Sequence, residues 1–173
     1  MTSKAIIVVD MLNDFVDEKG ALYCGAAARE IIPFIGQRLD AFRKNKDLVI
    51  YLQDAHDRND KEFEKFPEHC LGDSWGSQII KALTPMPGEK VVPKKRFSGF
   101  YGTDLENILV EAGIAAVEVV GVCTSICVMD TVGGLANRDY AISVPIKGVA
   151  DFDSEAHQYA LKRMEKLYGA EVS

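Results

Sequence analysis

The sequence of 173 residues predicts a three-layer α/β/α fold with a mainly parallel, doubly wound sheet. Two observations support this class. Short, continuous apolar runs are typical of parallel strands buried on both faces, and they alternate along the chain with segments of helical periodicity. No linker, internal repeat or low-complexity segment interrupts the alternation. Residues 1–173 are therefore expected to form a single domain of Rossmann-like type.

Composition excludes several classes of protein. The chain is 47% hydrophobic and 27% charged, the balance of an ordinary globular protein, and its net charge is −6. This acidity differs from the basic surface of nucleic-acid binders, and no apolar run reaches the roughly 18 residues of a membrane span. The first ten residues lack the cleavage region of a signal peptide. Four cysteines without a dense disulfide pattern favour a reducing, cytoplasmic compartment. From the charge and the hydropathy we expect neither nucleic-acid nor membrane partners.

The first predicted strand, residues 5–9, is uniformly apolar and ends at Asp10. Burying a carboxylate without partners is costly, so Asp10 is either a functional group or a residue that caps the turn at Asn13 and Asp14. Phe15 follows on the same loop and forms either a pocket wall or part of the core. The residues of this loop leave both interpretations open.

The next unit is a helix followed by a strand. Residues 26–45 have helical periodicity, and the helix is expected to start near Pro33, because proline is tolerated in a first turn. Residues 48–52 form the second predicted strand. The crossover between the two strands should be right-handed, which makes the strands parallel.

Histidines and carboxylates cluster after the second strand. Asp54 and His56 stand at its end, and His69 follows on a polar, acidic loop that also contains Glu62. Imidazole and carboxylate ligands suit zinc, manganese or iron, and Glu62 or Glu64 could add an oxygen. The alternative is a solvated acidic loop whose histidines cap turns, because two histidines and one aspartate are fewer ligands than a closed structural site has.

The middle of the chain contains two predicted helices and a short strand. Residues 75–83 are expected to form a short helix, residues 91–92 a brief strand, and residues 103–112 a helix capped by Thr103. Glycine follows the last of these helices, as it often does at a helix end.

Three adjacent cations, Lys94, Lys95 and Arg96, follow the short strand. Charge patterning alone favours a solvated patch. A functional interpretation requires one lysine to face inward, next to a thiol and a carboxylate. Adjacent residues of an extended segment point to opposite sides, so only one of the two lysines can do so.

The apolar run at residues 115–120 predicts another buried strand, and Thr124 and Ser125 are good helix N-caps after it. Cys127 then lies in the first turn of a helix at the carboxyl end of a strand. The helix dipole at that position favours a thiolate, and ligands of open α/β sheets bind at the same edge. The alternative is that Cys127 is a small buried hydrophobic residue.

The last segment adds a strand at residues 140–144 and a final helix for which Ser154 is the expected cap. His157 on this helix is interpreted as a packed or surface residue rather than a ligand. Residues 170–172 are expected to add an edge strand. The inner stripe of the final helix is predicted to consist of Ala160, Leu161, Met164 and Leu167.

Three segments together resemble the isochorismatase-like cysteine hydrolases over essentially the whole chain. They are the strand ending in Asp10, the segment Lys94-Lys95-Arg96-Phe97-Ser98-Gly99-Phe100, and the segment Gly121-Val122-Cys123-Thr124-Ser125-Ile126-Cys127-Val128. The segment with Asp54 and His56, together with Phe66-Pro67-Glu68-His69, is similar to the metal-binding segment of the nicotinamidase branch. The family more often has an acidic residue where Ser125 stands.

The resemblance implies specific roles for these residues. Asp10, Lys94 and Cys127 would form a catalytic triad, and the backbone amides of Cys123 and Cys127 an oxyanion hole. A cis peptide bond between Val122 and Cys123 is also implied. The implied metal ligands are Asp54, His56 and His69, with Glu62 as a further candidate, and the implied pocket aromatics are Phe15 and Phe66.

The implied activity is hydrolysis of nicotinamide to nicotinate and ammonia through a thioester, as in salvage of pyridine nucleotides for NAD metabolism. The implied cofactor is a divalent metal such as zinc, with iron or manganese as alternatives. A different small amide, carbamoyl or ureido compound is the alternative substrate, because the fold and the triad alone do not distinguish them. Family members are often dimers or tetramers, so a homo-oligomer acting on a small-molecule amide is expected.

Overall fold

The structure is a computed structural model that describes residues 3–173, and it confirms the predicted fold class. The strands of the described residues form one sheet in the order β3-β2-β1-β4-β5-β7, with β6 paired to β4, and these pairings are parallel. The strands are β1 Lys4–Val9, β2 Leu48–Asp54, β3 Lys90–Lys94, β4 Ala116–Val122, β5 Ala141–Val144, β6 Val149–Ala150 and β7 Glu171–Val172.

Helices connect the strands. One π-helical turn, Thr124–Val128, joins β4 to the helix that follows it, and short 3₁₀ turns occur at Lys61–Glu64, Lys81–Leu83 and Ile146–Gly148. The α-helices of the described residues are α1 Asn13–Val16, α2 Ala26–Glu30, α3 Ile32–Asn45, α4 Leu105–Glu111, α5 Met129–Ala136 and α6 Ser154–Lys166. Pro33 lies in the first turn of α3, as predicted.

Apolar side chains on both faces of the sheet explain the two helical layers. Along β1, Ile6 and Val8 belong to one core cluster with residues of α2 and α3. Ile7 and Val9 belong to a second cluster with residues of α4, α5 and α6. Alternate side chains of a strand point to opposite faces, so a continuous apolar run has to be covered on both sides.

The strand order reverses direction at β1, because the chain adds β2 on one side of it and β4 on the other. Such a switch point places the loops after neighbouring strands around one crevice. Asp10 directly follows β1, and Asp54 and Lys94 are register partners at the ends of β2 and β3. The turn after β4 carries Cys127. The four candidate side chains therefore come from four adjacent strand ends.

Three sequence predictions about local structure are wrong. Residues 75–83 form turns and a bridge at Ile79 rather than a helix, and only Lys81–Leu83 is a 3₁₀ turn. The last helix is capped by Asp153, whose side chain accepts hydrogen bonds from the amides of Glu155 and Ala156, not by Ser154. Leu167 is 58% exposed and lies outside the inner stripe.

Helix α4 begins at Leu105, two residues after the predicted start at Thr103, whose hydroxyl accepts a hydrogen bond from the Leu105 amide at 3.3 Å. Strand β7 forms at the predicted edge position. Within residues 3–173, no helix has the length and apolar character needed to cross a membrane.

Candidate active site

Lys94 lies at the centre of the candidate site and is almost completely buried. Its Nζ is 2.8 Å from Asp10 Oδ2, 2.5 Å from Asp54 Oδ1 and 3.5 Å from Cys127 Sγ. It also donates to the carbonyl oxygen of Arg96 at 3.1 Å. Burial alone would lower the pKa of Lys94, but Asp10, Cys127 and Asp54 raise it well above its usual value. The ammonium therefore stays protonated next to the thiol.

Lys95 points away from this centre. Its side chain is about half exposed and its Nζ is 2.5 Å from Asp57 Oδ2. The alternation of an extended segment thus turns Lys94 inward and its neighbour outward, as the sequence predicts.

Asp10 is a buried carboxylate with two kinds of partner. Its Oδ1 accepts a hydrogen bond from the Asp54 amide at 3.1 Å, while Oδ2 faces Lys94 without a well-aligned hydrogen bond in residues 3–173. Burial, together with the negative charge of Asp54, raises the pKa of Asp10 to about 7, although Lys94 opposes the rise. A carboxyl group of this pKa can take up and release a proton near neutral pH.

Cys127 lies in the π-helical turn and is 7% exposed. Burial raises the pKa of its thiol well above the usual value, and the positive charge of Lys94 opposes this only in part. Burial therefore opposes the thiolate that the helix dipole favours. The thiol needs a base, and atoms of Asp10, Asp54 and Cys127 lie within 4.8 Å of one another.

The predicted capping by Thr124 and Ser125 is also wrong. In the described chain neither side chain caps this turn, and Cys123 occupies the N-cap position. The amide of Ser125 instead donates to Asp151 Oδ2 at 2.8 Å, and the hydroxyl of Thr124 pairs with His157 Nδ1 at 2.9 Å. The peptide bond between Val122 and Cys123 is cis, as the family resemblance implies.

A second group of side chains adjoins Lys94. One atom from each of Asp54, His56 and His69 lies within 4.8 Å of the others, and all three residues are buried. Glu62 Oε1 is 3.9 Å from His56 Nε2 and 3.8 Å from His69 Nε2. The four predicted ligand residues thus converge on one position, and Asp54 links that position to Lys94.

The Nδ1 atoms of both imidazoles pair with oxygen atoms. His56 Nδ1 pairs with Asp60 Oδ2 at 3.0 Å, and His69 Nδ1 with the carbonyl oxygen of Pro67 at 2.8 Å. Such partners keep the proton on Nδ1 and leave Nε2 as an electron-pair donor. His56 Nε2 is buried and without a hydrogen-bond partner in residues 3–173. Two imidazoles and a carboxylate with these orientations fit zinc or a similar divalent metal.

A cavity of about 440 Å³ opens onto both groups. Asp10 and Cys127 line it together with His69 and Glu62. Most of its wall is apolar, and it includes both aromatic residues named from the sequence, Phe15 and Phe66, as well as Tyr23, Phe97 and Phe152. A flat aromatic ligand suits such a wall.

Sequence reasoning missed several residues of this site. Asp60 lies four residues after His56 and accepts bonds from Arg96 Nη1 at 3.0 Å as well as facing the imidazole. The sequence places Asp60 on an acidic loop, but it does not indicate the contact between Asp60 and His56. Asp151 and Tyr23 come from distant parts of the chain, and no local pattern connects them with Cys127.

Comparisons with known proteins identify a family and related structures. A model of the isochorismatase domain matches residues 4–173. The chain is 36% identical to the nicotinamidase/pyrazinamidase PncA from Bacillus subtilis, with a TM-score of 0.94 over 99% of this chain and 100% of that one. N-carbamoylsarcosine amidase from Thermoplasma acidophilum is 32% identical, with a TM-score of 0.90 over 99% and 96%. A pyrazinamidase of Pyrococcus horikoshii in complex with zinc is 27% identical, with a TM-score of 0.91 over 99% and 98%.

Proposed function

The chain belongs to the isochorismatase family, and from this premise we propose that it is a metal-dependent nicotinamidase, with Cys127 as nucleophile. The coarser activity, hydrolysis of an amide C–N bond, follows from the amide-hydrolysing relatives. One observation carries the finer proposal. Asp54 contacts Lys94 of the triad and also belongs to the group with His56 and His69, so a thiol and a candidate metal position face one cavity.

The proposed reaction begins with proton transfer. Asp10 accepts the proton of Cys127, and Lys94 stabilises the anionic sulfur, which attacks the carboxamide carbon. Backbone amides of Cys123 and Cys127 stabilise the oxyanion of the tetrahedral intermediate. The raised pKa of Asp10 suits this exchange, because the carboxyl group can then donate the proton to the leaving nitrogen.

Ammonia leaves and a thioester on Cys127 remains. Water then attacks the thioester carbon while Asp10 accepts a proton from it, and the thiol of Cys127 is regenerated as the carboxylic acid departs. The net reaction consumes one water for each ammonia released. Lys94 remains charged throughout and offsets the negative charges that alternate between sulfur and Asp10.

Asp54, His56, His69 and Glu62 are the residues that would hold the metal. When bound, a divalent metal supplies a Lewis acid that can hold a heteroaromatic ring nitrogen. The chain's own contribution is the aromatic wall, where Phe15 and Phe66 lie beside His69 with ring centroids 5.6 Å and 6.4 Å from its imidazole. Nicotinamide matches these features because it is flat and its ring nitrogen is meta to the carboxamide.

The test is ammonia release from nicotinamide and benzamide, measured as kcat/KM. Benzamide has the same shape but lacks the ring nitrogen, so we expect nicotinamide to be preferred by up to about 10⁴-fold. His56→Ala and His69→Ala should narrow this preference, whereas the control His157→Ala should preserve it. Equal cleavage of the two amides by the native protein would contradict the proposal.

A second candidate function is hydrolysis of a carbamoyl or ureido compound. It is favoured by the 32% identity with N-carbamoylsarcosine amidase. The apolar, aromatic cavity wall weighs against it, because a ureido group needs polar partners when it is buried. Including N-carbamoyl amino acids in the same ammonia assay distinguishes the two, and faster cleavage of these than of nicotinamide would select the second function.

A further inference from the structure

Cys24 and Cys123 form a close pair of thiols. Their sulfur atoms lie 3.1 Å apart although the residues are 99 positions apart in sequence. Both are free cysteines, both are buried, and both line the same cavity as Cys127. A disulfide bond is about 2.05 Å long, so a movement of roughly 1 Å would bring the sulfurs to bonding distance.

The backbone around both residues is well supported. The Cys24 amide donates to the carbonyl oxygen of Phe15 at 2.8 Å, and its thiol contacts the Leu22 carbonyl at 3.5 Å. Cys123 stands at the end of β4, where its carbonyl accepts bonds from Ile126 and Val128. The proximity of the sulfurs is therefore set by two anchored segments.

We propose that Cys24 and Cys123 are an oxidative modification site, which a small peroxide entering the cavity converts to a disulfide. The two thiols take no part in the proposed hydrolytic mechanism, in which only the backbone amide of Cys123 is used, and the pair does not depend on which amide is hydrolysed. A small oxidant fits because both thiols line a cavity of about 440 Å³.

The chemistry has two steps. The sulfur of Cys24 attacks a peroxide oxygen, the O–O bond breaks, and Cys24 becomes a sulfenic acid as one water forms. The sulfur of Cys123 then attacks that of Cys24, the S–O bond breaks, and hydroxide leaves with the Cys123 proton as a second water. Two thiols lose two electrons and two protons, and one hydrogen peroxide is reduced to two waters.

Cys123 is assigned the second step because its sulfur already lies 3.1 Å from the Cys24 sulfur that it must attack. Contact with Cys24, and then burial, raises the pKa of the Cys123 thiol.

The disulfide would tie the segment before α2 to the residue that precedes the nucleophile turn. Cys123 and Cys127 line the same cavity, so the bond would alter its wall beside the nucleophile. We expect a loss of activity of about tenfold or more that a dithiol reductant reverses, since small displacements of a reacting group have large effects on rate.

The test separates this pair from oxidation of the nucleophile. In Cys127→Ala, three of the four cysteines remain, and mild hydrogen peroxide should lower the count of free thiols from three to one. Peptide mapping should find the Cys24–Cys123 cross-link, accompanied by loss of two hydrogen atoms. Cys70→Ser in the same background should still form it, because Cys70 contacts Gly76 instead.

Cys24→Ser should abolish the cross-link and the part of the reductant-reversible loss of activity that develops in step with it. Three free thiols persisting in Cys127→Ala, at a peroxide dose that oxidises Cys127 in the native protein, would overturn the proposal. A cross-link that involves Cys70 would also overturn it. The peptide map of Cys127→Ala distinguishes these outcomes even if Cys24→Ser does not fold. None of these outcomes depends on nicotinamide hydrolysis, so failure of the proposed function would be recognised separately.

Discussion

At the scale of single residues, Lys94 contacts three side chains of the candidate site. It lies between Asp10 and Asp54 and touches Cys127, so its removal leaves two buried carboxylates without a counter-charge. Lys94→Ala should lower kcat/KM by about 10³-fold or more, because it removes the cation that stabilises the nucleophile.

Lys95→Ala is the matched control. It removes the same charge from the next position, but that side chain pairs with exposed Asp57, so we expect a change of less than about twofold. Steady-state kinetics on both variants, with circular dichroism to verify folding, checks the contrast. Similar losses in the two variants would refute the inward role of Lys94.

The pKa of Asp10 leads to a second prediction. Asp10 must be ionised to accept the proton of Cys127, and burial beside Asp54 raises its pKa to about 7. We therefore expect kcat/KM to fall as pH drops through about 7. A pH–rate profile of native protein measures this limb, and a flat profile between pH 5 and 8 would contradict it.

The free energy of unfolding should depend on pH in the opposite sense to kcat/KM. The folded pKa of Asp10 exceeds the unfolded one, so its contribution to stability is present below the unfolded pKa and is lost as pH rises through about 7. Asp10→Asn should remove this loss while abolishing turnover. Denaturant unfolding at a series of pH values provides a readout that does not depend on catalysis.

The inward and outward lysines could be predicted from sequence because strand alternation is a local rule. The raised pKa of Cys127 could not be. The dipole of the following turn was visible in the sequence, but the burial that outweighs it results from the cavity and the neighbouring carboxylates. Local reasoning therefore placed Cys127 at the candidate site but did not include the burial that raises the pKa of its thiol.

At the scale of elements, Gly121 shows how closely β4 packs against β1. Its φ is +118°, and a Cβ atom there would collide with the backbone of Val9. Gly121→Ala should destabilise the fold by about 3 kcal/mol or more, since both the conformation and the space exclude a side chain. It should also disturb the turn that carries Cys127, which begins two residues after the end of β4.

Gly36→Ala is the control for this prediction. Gly36 lies in α3, and a Cβ atom there would meet nothing within 4 Å. Alanine should stabilise the helix by about 0.5–1 kcal/mol. Urea unfolding of the two variants measures both changes, and equal stability of the Gly121 and Gly36 variants would show that β4 tolerates a side chain at its end.

Element boundaries were predictable where the signal was local. The apolar runs located β1, β2 and β4, and Pro33 located the start of α3. Residues 75–83 were mispredicted because their apolar spacing mimics a helix, whereas Ile79 pairs with Leu12 and the Ile80 amide donates to Met11. Such long-range partners are invisible to periodicity.

At the scale of the whole molecule, the candidate site depends on the topology. The sequence motifs occur at four separate places, and parallel strands in the order β3-β2-β1-β4 bring them to one edge. The doubly wound fold predicted from alternation places the ends of parallel strands at one edge, whereas the strand order that makes these four neighbours is known only from the structure. The cavity wall was less predictable, because Tyr23 and Phe152 come from loops that have no strand register.

Because of this topology, metal binding should be measurable as an increase in the stability of the fold. The candidate ligands come from the end of β2 and from the loop that follows it, so a bound metal would link this loop to the sheet. A ligand present at 100 times its Kd stabilises the native state by about 2.7 kcal/mol. In a protein of this size, chelation should therefore lower Tm by roughly 5–10 °C.

Variants test whether the fall in Tm on chelation depends on the candidate ligands and on Asp60. His56→Ala and His69→Ala should eliminate the shift in Tm on chelation, and His157→Ala should retain it in full. Asp60→Asn should reduce metal affinity about 10- to 100-fold, because a neutral amide oxygen accepts the hydrogen bond from His56 Nδ1 more weakly than a carboxylate does. The measurements are calorimetry with and without chelator and zinc titration of the apoprotein. An unchanged Tm of the native protein on chelation, with no zinc bound in titration, would argue against metal dependence and leave the amide-hydrolase activity in place.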